Sequence, residues 1–291
     1  MKAEDAEMGM RHAIGADALM TASPRDDCVA RRKSQAKAHF VLVHGAWHGA
    51  WCWSKVIPHL RARGHGVTAV DLPGRWRDPK ELVALTADDY VNAVEQVLLT
   101  VHDPIVLVGH SLGGATISLA AERRPDRVRL LVYLAAFLVP NGQTVRSVAD
   151  ADNRSSVPLL VHREMGVSYI NHDLANEVLY HDCGEADTQV AHKLLCPEPS
   201  TVMLAPIKVT PERFGRVDRA YVECLQDRAI SIDAQRAMQA AQPCRQVVTM
   251  DASHSPFLSQ PSEVADILVR LSVGIPCSKE CRSGSNVDVR G

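Results

Sequence analysis

The sequence has few aromatic residues and no long apolar run. Phe, Trp and Tyr make up 4% of its 291 residues. No run of about 18 apolar residues occurs, so no transmembrane helix is predicted. Lys and Arg number 32 and Asp and Glu number 34, which gives a formal net charge of −2. Because so even a balance leaves no basic face, we expect the chain to bind neither nucleic acid nor a membrane.

Cysteine is also sparse, and the motifs of common cofactor sites are missing. The eight cysteines form no C-x-x-C pair, which argues against a disulfide scaffold and against zinc. No G-x-G-x-x-G pattern or P-loop lysine occurs, so no dinucleotide or phosphate site is indicated. Four histidines, His162, His172, His181 and His192, have no metal-binding spacing among them. We expect reduced thiols, no metal, no cofactor and a cytoplasmic location.

Both ends of the chain are expected to lie outside its folded domain. Residues 1–37 are mostly polar or small, and acidic residues stand where a signal peptide would need basic ones. Residues 274–291 are rich in Gly and Ser. The sequence thus predicts a flexible extension over residues 1–37, one domain over residues 38–273, and a disordered tail.

Short apolar runs, mostly continuous, recur along the predicted domain. They occupy residues 40–43, 67–70, 105–108, 130–134, 220–224 and 246–250. Continuous runs are typical of strands buried on both faces, as in a parallel sheet that helices cover. Segments with helical spacing separate them, for example residues 88–101 and 262–271. The alternation predicts an α/β fold with a mostly parallel, doubly wound sheet.

One long segment, residues 139–211, interrupts this alternation. It contains no clear buried strand and consists of polar, Pro-containing and short amphipathic pieces. About 70 residues is too long for a plain loop in a compact domain. The segment is therefore predicted to be an inserted, largely helical cap.

The strongest local signal is the sequence GHSLG at residues 109–113. It matches G-x-S-x-G between a predicted strand and a predicted helix, which is the context of a nucleophile elbow. In such a turn the serine oxygen stands exposed at the carboxyl end of the sheet, next to the helix amino terminus. Ser111 is therefore predicted to be a nucleophile.

A serine nucleophile needs a base, and the base needs an acid to orient it. His254 follows the last predicted strand, and Asp227 follows the strand before it. Both positions are carboxyl ends of strands, where open α/β sheets place their sites. We predict His254 as base and Asp227 as acid. The competing aspartates are Asp218 at the wrong strand end, Asp233 at a helix start, and Asp251 close to His254.

The loop after the first predicted strand, HGAWHG at residues 44–49, provides a site for an oxyanion hole. Such a hole needs two backbone N–H groups aimed at the developing negative oxygen. We predict that Leu112, directly after the serine, and Ala46 in this loop supply them. His44 and His48 are interpreted as braces of the loop rather than proton carriers.

Five segments together resemble a known family, the plant methylesterase and hydroxynitrile lyase branch of the α/β-hydrolase superfamily. They are residues 39–53 (HFVLVHGAWHGAWCW), 65–74 (HGVTAVDLPG), 105–114 (IVLVGHSLGG), 211–239 (PERFGRVDRAYVECLQDRAISIDAQRAMQ) and 250–261 (MDASHSPFLSQP). The last looks more like bacterial esterases of the branch, including pyrethroid-hydrolysing carboxylesterases. The resemblance implies an α/β-hydrolase fold, with Ser111, Asp227 and His254 as catalytic triad and Ala46 and Leu112 as oxyanion donors.

Two departures from the lyases of that branch favour an esterase. In the lyases, as the resemblance implies, a Thr follows the early His and a Lys follows the catalytic His. Here Gly45 and Ser255 stand at those positions. Without a cation at residue 255, departing cyanide has no electrostatic partner.

The sequence therefore predicts a cofactor-free serine carboxylic-ester hydrolase acting on small to medium apolar or aryl esters. A hydroxynitrile lyase and a non-catalytic small-ligand receptor remain as alternative functions. The sequence does not fix the oligomeric state, and a homodimer is one option. Five apolar residues are candidates for the substrate pocket, with plain cap core as the alternative: Phe137, Leu138, Leu159, Leu160 and Met203.

Overall fold

The computed structural model describes residues 37–75 and 78–273. The predicted tail and nearly all of the predicted extension lie outside these residues. The strands are β1 (His39–Val43), β2 (Gly66–Val70), β3 (Ile105–His110), β4 (Val128–Leu134), β5 (Val161–Glu164), β6 (Val167–Ile170), β7 (Glu198–Pro199), β8 (Asp218–Cys224) and β9 (Gln246–Met250). The α-helices are α1 (Val56–Ala62), α2 (Pro79–Leu82), α3 (Ala87–Thr100), α4 (Gly113–Arg123), α5 (Val145–Ala151), α6 (Val157–Leu160), α7 (His172–Leu179), α8 (Glu185–Leu194), α9 (Ser200–Leu204), α10 (Ile232–Ala241), α11 (Pro256–Ser259) and α12 (Pro261–Val273).

Six strands form a parallel sheet in the order β2-β1-β3-β4-β8-β9. Every residue of β3 is buried, so both faces of the sheet centre are covered, whereas β9 at the edge has exposed positions. Helix α3 packs against α4, and α1 packs against α12. The prediction of a mostly parallel α/β sheet is confirmed, and all six predicted apolar runs lie in its strands.

The parallel register brings the loops after β3, β8 and β9 to one edge of the sheet. Tyr133 of β4 pairs with Tyr221 of β8, and Cys224 at the end of β8 pairs with Met250 at the end of β9. Because the strands run the same way, the loops that follow them emerge side by side. These loops carry the three residues predicted to form the triad.

The inserted segment contains strands that the sequence did not predict. Strands β5, β6 and β7 form a small antiparallel sheet within the otherwise helical cap. Met165 and Gly166 connect β5 to β6, and both have positive φ, at 47° and 81°, as a two-residue hairpin turn requires. The pair was missed because its strands are only four residues long and are not continuous apolar runs.

Among the described residues, no helix is long and apolar enough to cross a membrane. The five cysteines in this part of the chain, Cys52, Cys183, Cys196, Cys224 and Cys244, are not joined by disulfides.

Candidate active site

Ser111 occupies the tight turn between β3 and α4 with a φ of 51°. A non-glycine residue in this left-handed region costs about 1–3 kcal/mol and persists only where its surroundings hold it. Glycines on both sides make room for the turn. A Cβ at Gly109 would lie 2.7 Å from the Gly113 carbonyl oxygen, and one at Gly113 would lie 2.6 Å from the His44 carbonyl oxygen. The turn therefore has the strained, crowded geometry of a nucleophile elbow.

His254 and Asp227 form a buried pair at the same edge of the sheet. Nδ1 of His254 lies 2.8 Å from Oδ2 of Asp227, and the two residues are 2% and 7% exposed. The other carboxylate oxygen, Oδ1, accepts hydrogen bonds from the backbone N–H groups of Ala229 and Ile230 at 2.7 and 2.9 Å. Because a carboxylate only accepts, Nδ1 of His254 carries the proton. Nε2 is then unprotonated and is the ring nitrogen that can accept a proton from another group.

The competing aspartates have other partners. Asp218 forms an ion pair with Arg245 at 2.9 Å, and Asp233 forms one with Arg154 at 2.6 Å. Asp251 accepts a hydrogen bond from the Gln226 side chain at 2.6 Å. His254 makes no hydrogen bond or ion pair with any of these three, so among the candidate acids only Asp227 is its partner in the described chain.

Ser111 and His254 line one pocket of about 660 Å³, including the space open to solvent at its mouth. Apolar side chains form much of its wall: Phe137, Val157, Met203 and Ile230. Within residues 37–75 and 78–273, the Ser111 hydroxyl makes no hydrogen bond with Nε2 of His254. Hydrogen bonds between catalytic groups are often long without substrate and tighten in the complex.

The predicted pocket residues are correct in two of five cases. Phe137 and Met203 line the pocket. Leu138 and Leu160 are instead fully buried in the core, and Leu159 is 74% exposed. For Leu138 and Leu160 the alternative interpretation as core holds, and for Leu159 neither interpretation does, because neighbours along a helix or a loop face different directions. In α6 it is Val157 and Pro158 that face the pocket.

Ala46 and Leu112, the predicted oxyanion donors, line the pocket beside Ser111. Neither backbone N–H donates a hydrogen bond to another described residue, so both are available to a ligand. Gly45 allows the loop to approach this closely, because a Cβ there would lie 2.6 Å from Cβ of Ser111.

A second set of contacts fixes the turn after Ala46, and nothing in the sequence indicated it. Trp47 has a φ of 61°. Its backbone N–H donates to Oε2 of Glu198 at 3.0 Å, and its indole N–H donates to Ser168 at 3.2 Å. Glu198 and Ser168 belong to the cap strands β7 and β6. The cap therefore holds the loop that carries a predicted oxyanion donor.

Glu198 is also one half of a buried ion pair. Its Oε2 lies 2.9 Å from Nη2 of Arg75, and both side chains are at most 3% exposed. Tyr90 donates to Oε1 of Glu198 at 2.7 Å, and Arg75 donates to the His48 carbonyl at 2.9 Å. Burial alone would lower the pKa of Arg75, but the Glu198 carboxylate raises it. Arg75 therefore stays charged inside the protein.

Glu198→Gln is expected to lower the free energy of unfolding by about 3–5 kcal/mol, since it leaves the Arg75 charge buried without a counter-charge. Urea denaturation measures the change. Asp266→Asn, which breaks a partly exposed pair with Arg63, should cost less than about 1 kcal/mol. Adding Arg75→Met to Glu198→Gln should restore much of the loss. A single-variant loss no larger than that of the control would contradict this view of the pair.

Three buried histidines surround the site. His44 donates to the Gly45 carbonyl, and His48 donates to the Ala46 carbonyl, each at 2.8 Å. Both contacts agree with the predicted bracing of the loop. His110, to which the sequence assigned no role, donates from Nε2 to the His254 carbonyl at 2.8 Å. Its ring centroid lies 4.6 Å from that of His254, so the His110 ring packs against the ring of the predicted base.

Burial lowers the pKa of His48 to about 4, and the nearby His254 and Arg75 act in the same direction. Burial likewise lowers the pKa of His44 and of His110 well below 6.5. All three histidines are therefore neutral in the folded protein at neutral pH.

The free energy of unfolding is therefore expected to fall as the pH is lowered from 6.5 towards 4. In this window the unfolded chain binds protons that the folded chain does not. His48 alone should contribute a loss of about 1.6 kcal/mol between pH 6.5 and about 5. Urea titrations across that range should give a shallower slope for His48→Gln and an unchanged slope for the exposed His162→Gln. Equal slopes for the wild type and His48→Gln would refute the assignment.

No group of three or more His, Cys, Asp or Glu side chains in the described chain could hold a metal ion. His172 and His192 do approach each other, with their Nδ1 atoms 3.1 Å apart, but on an exposed face of the cap.

Comparison with known proteins places this chain in a family. The model of the alpha/beta hydrolase family matches residues 40–267. The chain is 34% identical over 248 residues to methyl jasmonate esterase 1 of Vitis vinifera, covering 79% of this chain and 95% of that protein. It is 31% identical over 259 residues to methylesterase 2 of Arabidopsis thaliana, covering 82% and 98%.

A solved structure of a hydrolase also has a similar fold. The crystal structure of a pyrethroid hydrolase from Sphingobium faniae superposes with a TM-score of 0.75 at 28% identity. The match covers 81% of this chain and 98% of that one. With a family model matching most of its length, the chain belongs to the α/β hydrolase family.

Proposed function

We propose that the protein is a serine carboxylesterase that hydrolyses small to medium apolar or aryl esters. The observation that carries the proposal is the buried 2.8 Å contact between His254 and Asp227, in the same site as Ser111 on its strained turn. Relatives named methylesterase and methyl jasmonate esterase support ester hydrolysis. The apolar pocket wall supports an ester with an apolar or aryl body.

In the proposed acylation step, Nε2 of His254 takes the proton of the Ser111 hydroxyl as the oxygen attacks the ester carbonyl carbon. Asp227 keeps His254 in the tautomer with a free Nε2 and stabilises the imidazolium that forms. The carbonyl oxygen becomes negative and accepts hydrogen bonds from the N–H groups of Ala46 and Leu112. When the carbon–oxygen bond to the alcohol breaks, His254 returns its proton to the leaving alcohol.

Deacylation repeats these roles with water as the nucleophile. His254 removes a proton from water, the hydroxide attacks the acyl carbon, and the same two N–H groups hold the negative oxygen. The bond to Ser111 breaks, and His254 reprotonates the serine oxygen. The products are the carboxylic acid and free enzyme, and no metal or organic cofactor takes part.

A panel of esters tests the proposal. It contains 4-nitrophenyl esters from acetate to octanoate, aryl methyl esters and a pyrethroid-type ester. We expect turnover of several members, with the chain-length preference reporting the depth of the pocket. If the wild type is inert on all of them, the proposal fails. Release of cyanide from mandelonitrile would then favour the lyase alternative, and tight binding without turnover would favour the receptor.

A further inference from the structure

The lining of the pocket has an unbalanced positive charge. Besides His254, three ionisable residues line the pocket, and all belong to the cap: Arg146, Asp150 and Arg163. Arg146 on α5 forms an ion pair with Asp150 one helical turn later, at 2.7 Å. The guanidinium of Arg163 on β5 makes no hydrogen bond or ion pair with any residue of the described chain. Two cations and one anion leave a net positive charge, which lies on Arg163.

The surroundings of Arg163 do not favour its charge. Partial burial and the nearby Arg146 lower its pKa, while Asp150 raises it. A guanidinium nevertheless stays protonated at neutral pH. An anion that entered the pocket would supply the missing counter-charge, and the planar guanidinium binds carboxylates with two parallel hydrogen bonds.

The rest of the pocket lining is mostly apolar. Its apolar side chains include Phe137, Met203 and Ile230. A suitable substrate would thus combine an apolar segment with an anionic group that reaches Arg163. A neutral ester would use only the apolar part of the lining.

We propose that the preferred substrates are esters with a carboxylate at the end remote from the scissile bond, and that Arg163 binds this carboxylate. Half esters of dicarboxylic acids are the simplest members of this class. The inference rests on the proposed esterase activity and specifies its substrate. Arg163 acts here as a binding residue, and the acyl-transfer steps are unchanged.

A matched pair of substrates tests it. One is a 4-nitrophenyl half ester of a dicarboxylic acid, and the other has a primary amide in place of the carboxylate. Adipate, suberate and sebacate vary the distance to the charge and are long enough to avoid cyclising to an anhydride. We expect kcat/KM of the wild type to favour the carboxylate by about tenfold at the best length, as for a partly exposed charge-assisted pair.

Variants then assign the preference to one side chain. Arg163→Gln should reduce the carboxylate-to-amide ratio of kcat/KM to about one. Arg163→Lys should retain part of the preference, since it keeps the charge and loses the planar donor pair. Arg154→Gln removes an equal charge from the cap but lies outside this pocket. It should leave the ratio intact.

The outcomes separate this inference from the proposed function. A wild type that hydrolyses the amide series but shows no preference for the carboxylate at any length would overturn the inference and leave the esterase standing. The same holds if Arg163→Gln keeps the wild-type ratio. A wild type that hydrolyses neither series would overturn both.

Discussion

Ser111→Ala is expected to lower kcat for ester hydrolysis by about 10⁴- to 10⁶-fold, because it removes the only proposed nucleophile. The residual rate would come from the oxyanion donors and from binding, which remain in place. The substitution deletes one oxygen that makes no hydrogen bond within residues 37–75 and 78–273. We therefore expect little change in Tm, and the lost activity should not reflect unfolding.

Ser118→Ala is a matched control on α4. The Ser118 hydroxyl lies 2.8 Å from both the Gly114 carbonyl and the Tyr133 hydroxyl, so its removal should cost about 1 kcal/mol of stability. Its kcat should stay within a few-fold of the wild type. Retention of more than one hundredth of the wild-type kcat by Ser111→Ala would contradict the proposed mechanism.

Asp227→Asn is expected to lower kcat by about 10⁴-fold while the fold is retained. In the wild type, the backbone N–H groups of Ala229 and Ile230 donate to Oδ1 of Asp227. An asparagine would present its carbonyl oxygen to them and turn its NH₂ towards Nδ1 of His254. Nδ1 must then accept, which leaves the proton on Nε2. In that tautomer His254 cannot take the Ser111 proton.

The measurement is kcat on the best ester of the panel, together with Tm. Asp251→Asn is the matched control, because Asp251 lies on the same loop as His254 and contacts the Gln226 side chain instead. It should keep kcat within about threefold of the wild type. If the two variants lose similar activity, Asp227 has no special role as the orienting acid.

The central sheet could be predicted because each of its strands is a local signal. Continuous apolar runs occur where both faces of a strand are buried, as in β1 and β3. A parallel sheet then brings the loops after its strands to one edge. That geometric rule, applied to residues far apart in the sequence, explains why Ser111, Asp227 and His254 could be predicted as a group from the sequence.

The cap could be predicted as a largely helical insertion, but its small antiparallel sheet could not. Its strands are short, and β5 has exposed residues after Val161, so no apolar run marked them. The pocket wall was equally hard to predict. Which of Leu159, Leu160 and Val157 faces the pocket depends on how α6 is rotated on the core, and apolarity alone does not encode that rotation.

The support of the oxyanion loop was missed for a different reason. Glu198 contacts the Trp47 backbone across a sequence separation of 151 residues. A lone glutamate in a polar segment usually belongs to a solvated surface. Only the fold shows that Arg75 and Tyr90 meet it in the interior. Long-range buried polar contacts of this kind leave no local pattern in a single sequence.

Labelling with a fluorophosphonate tests the central claim most directly. An activated Ser111 would attack phosphorus, displace fluoride and keep the phosphonyl group. We predict one adduct per folded chain by intact mass, located on the peptide containing Ser111. Ser111→Ala and the urea-unfolded wild type should show none. A folded wild type that gains no adduct, or an adduct that persists in Ser111→Ala, would contradict the assignment of Ser111 as the nucleophile.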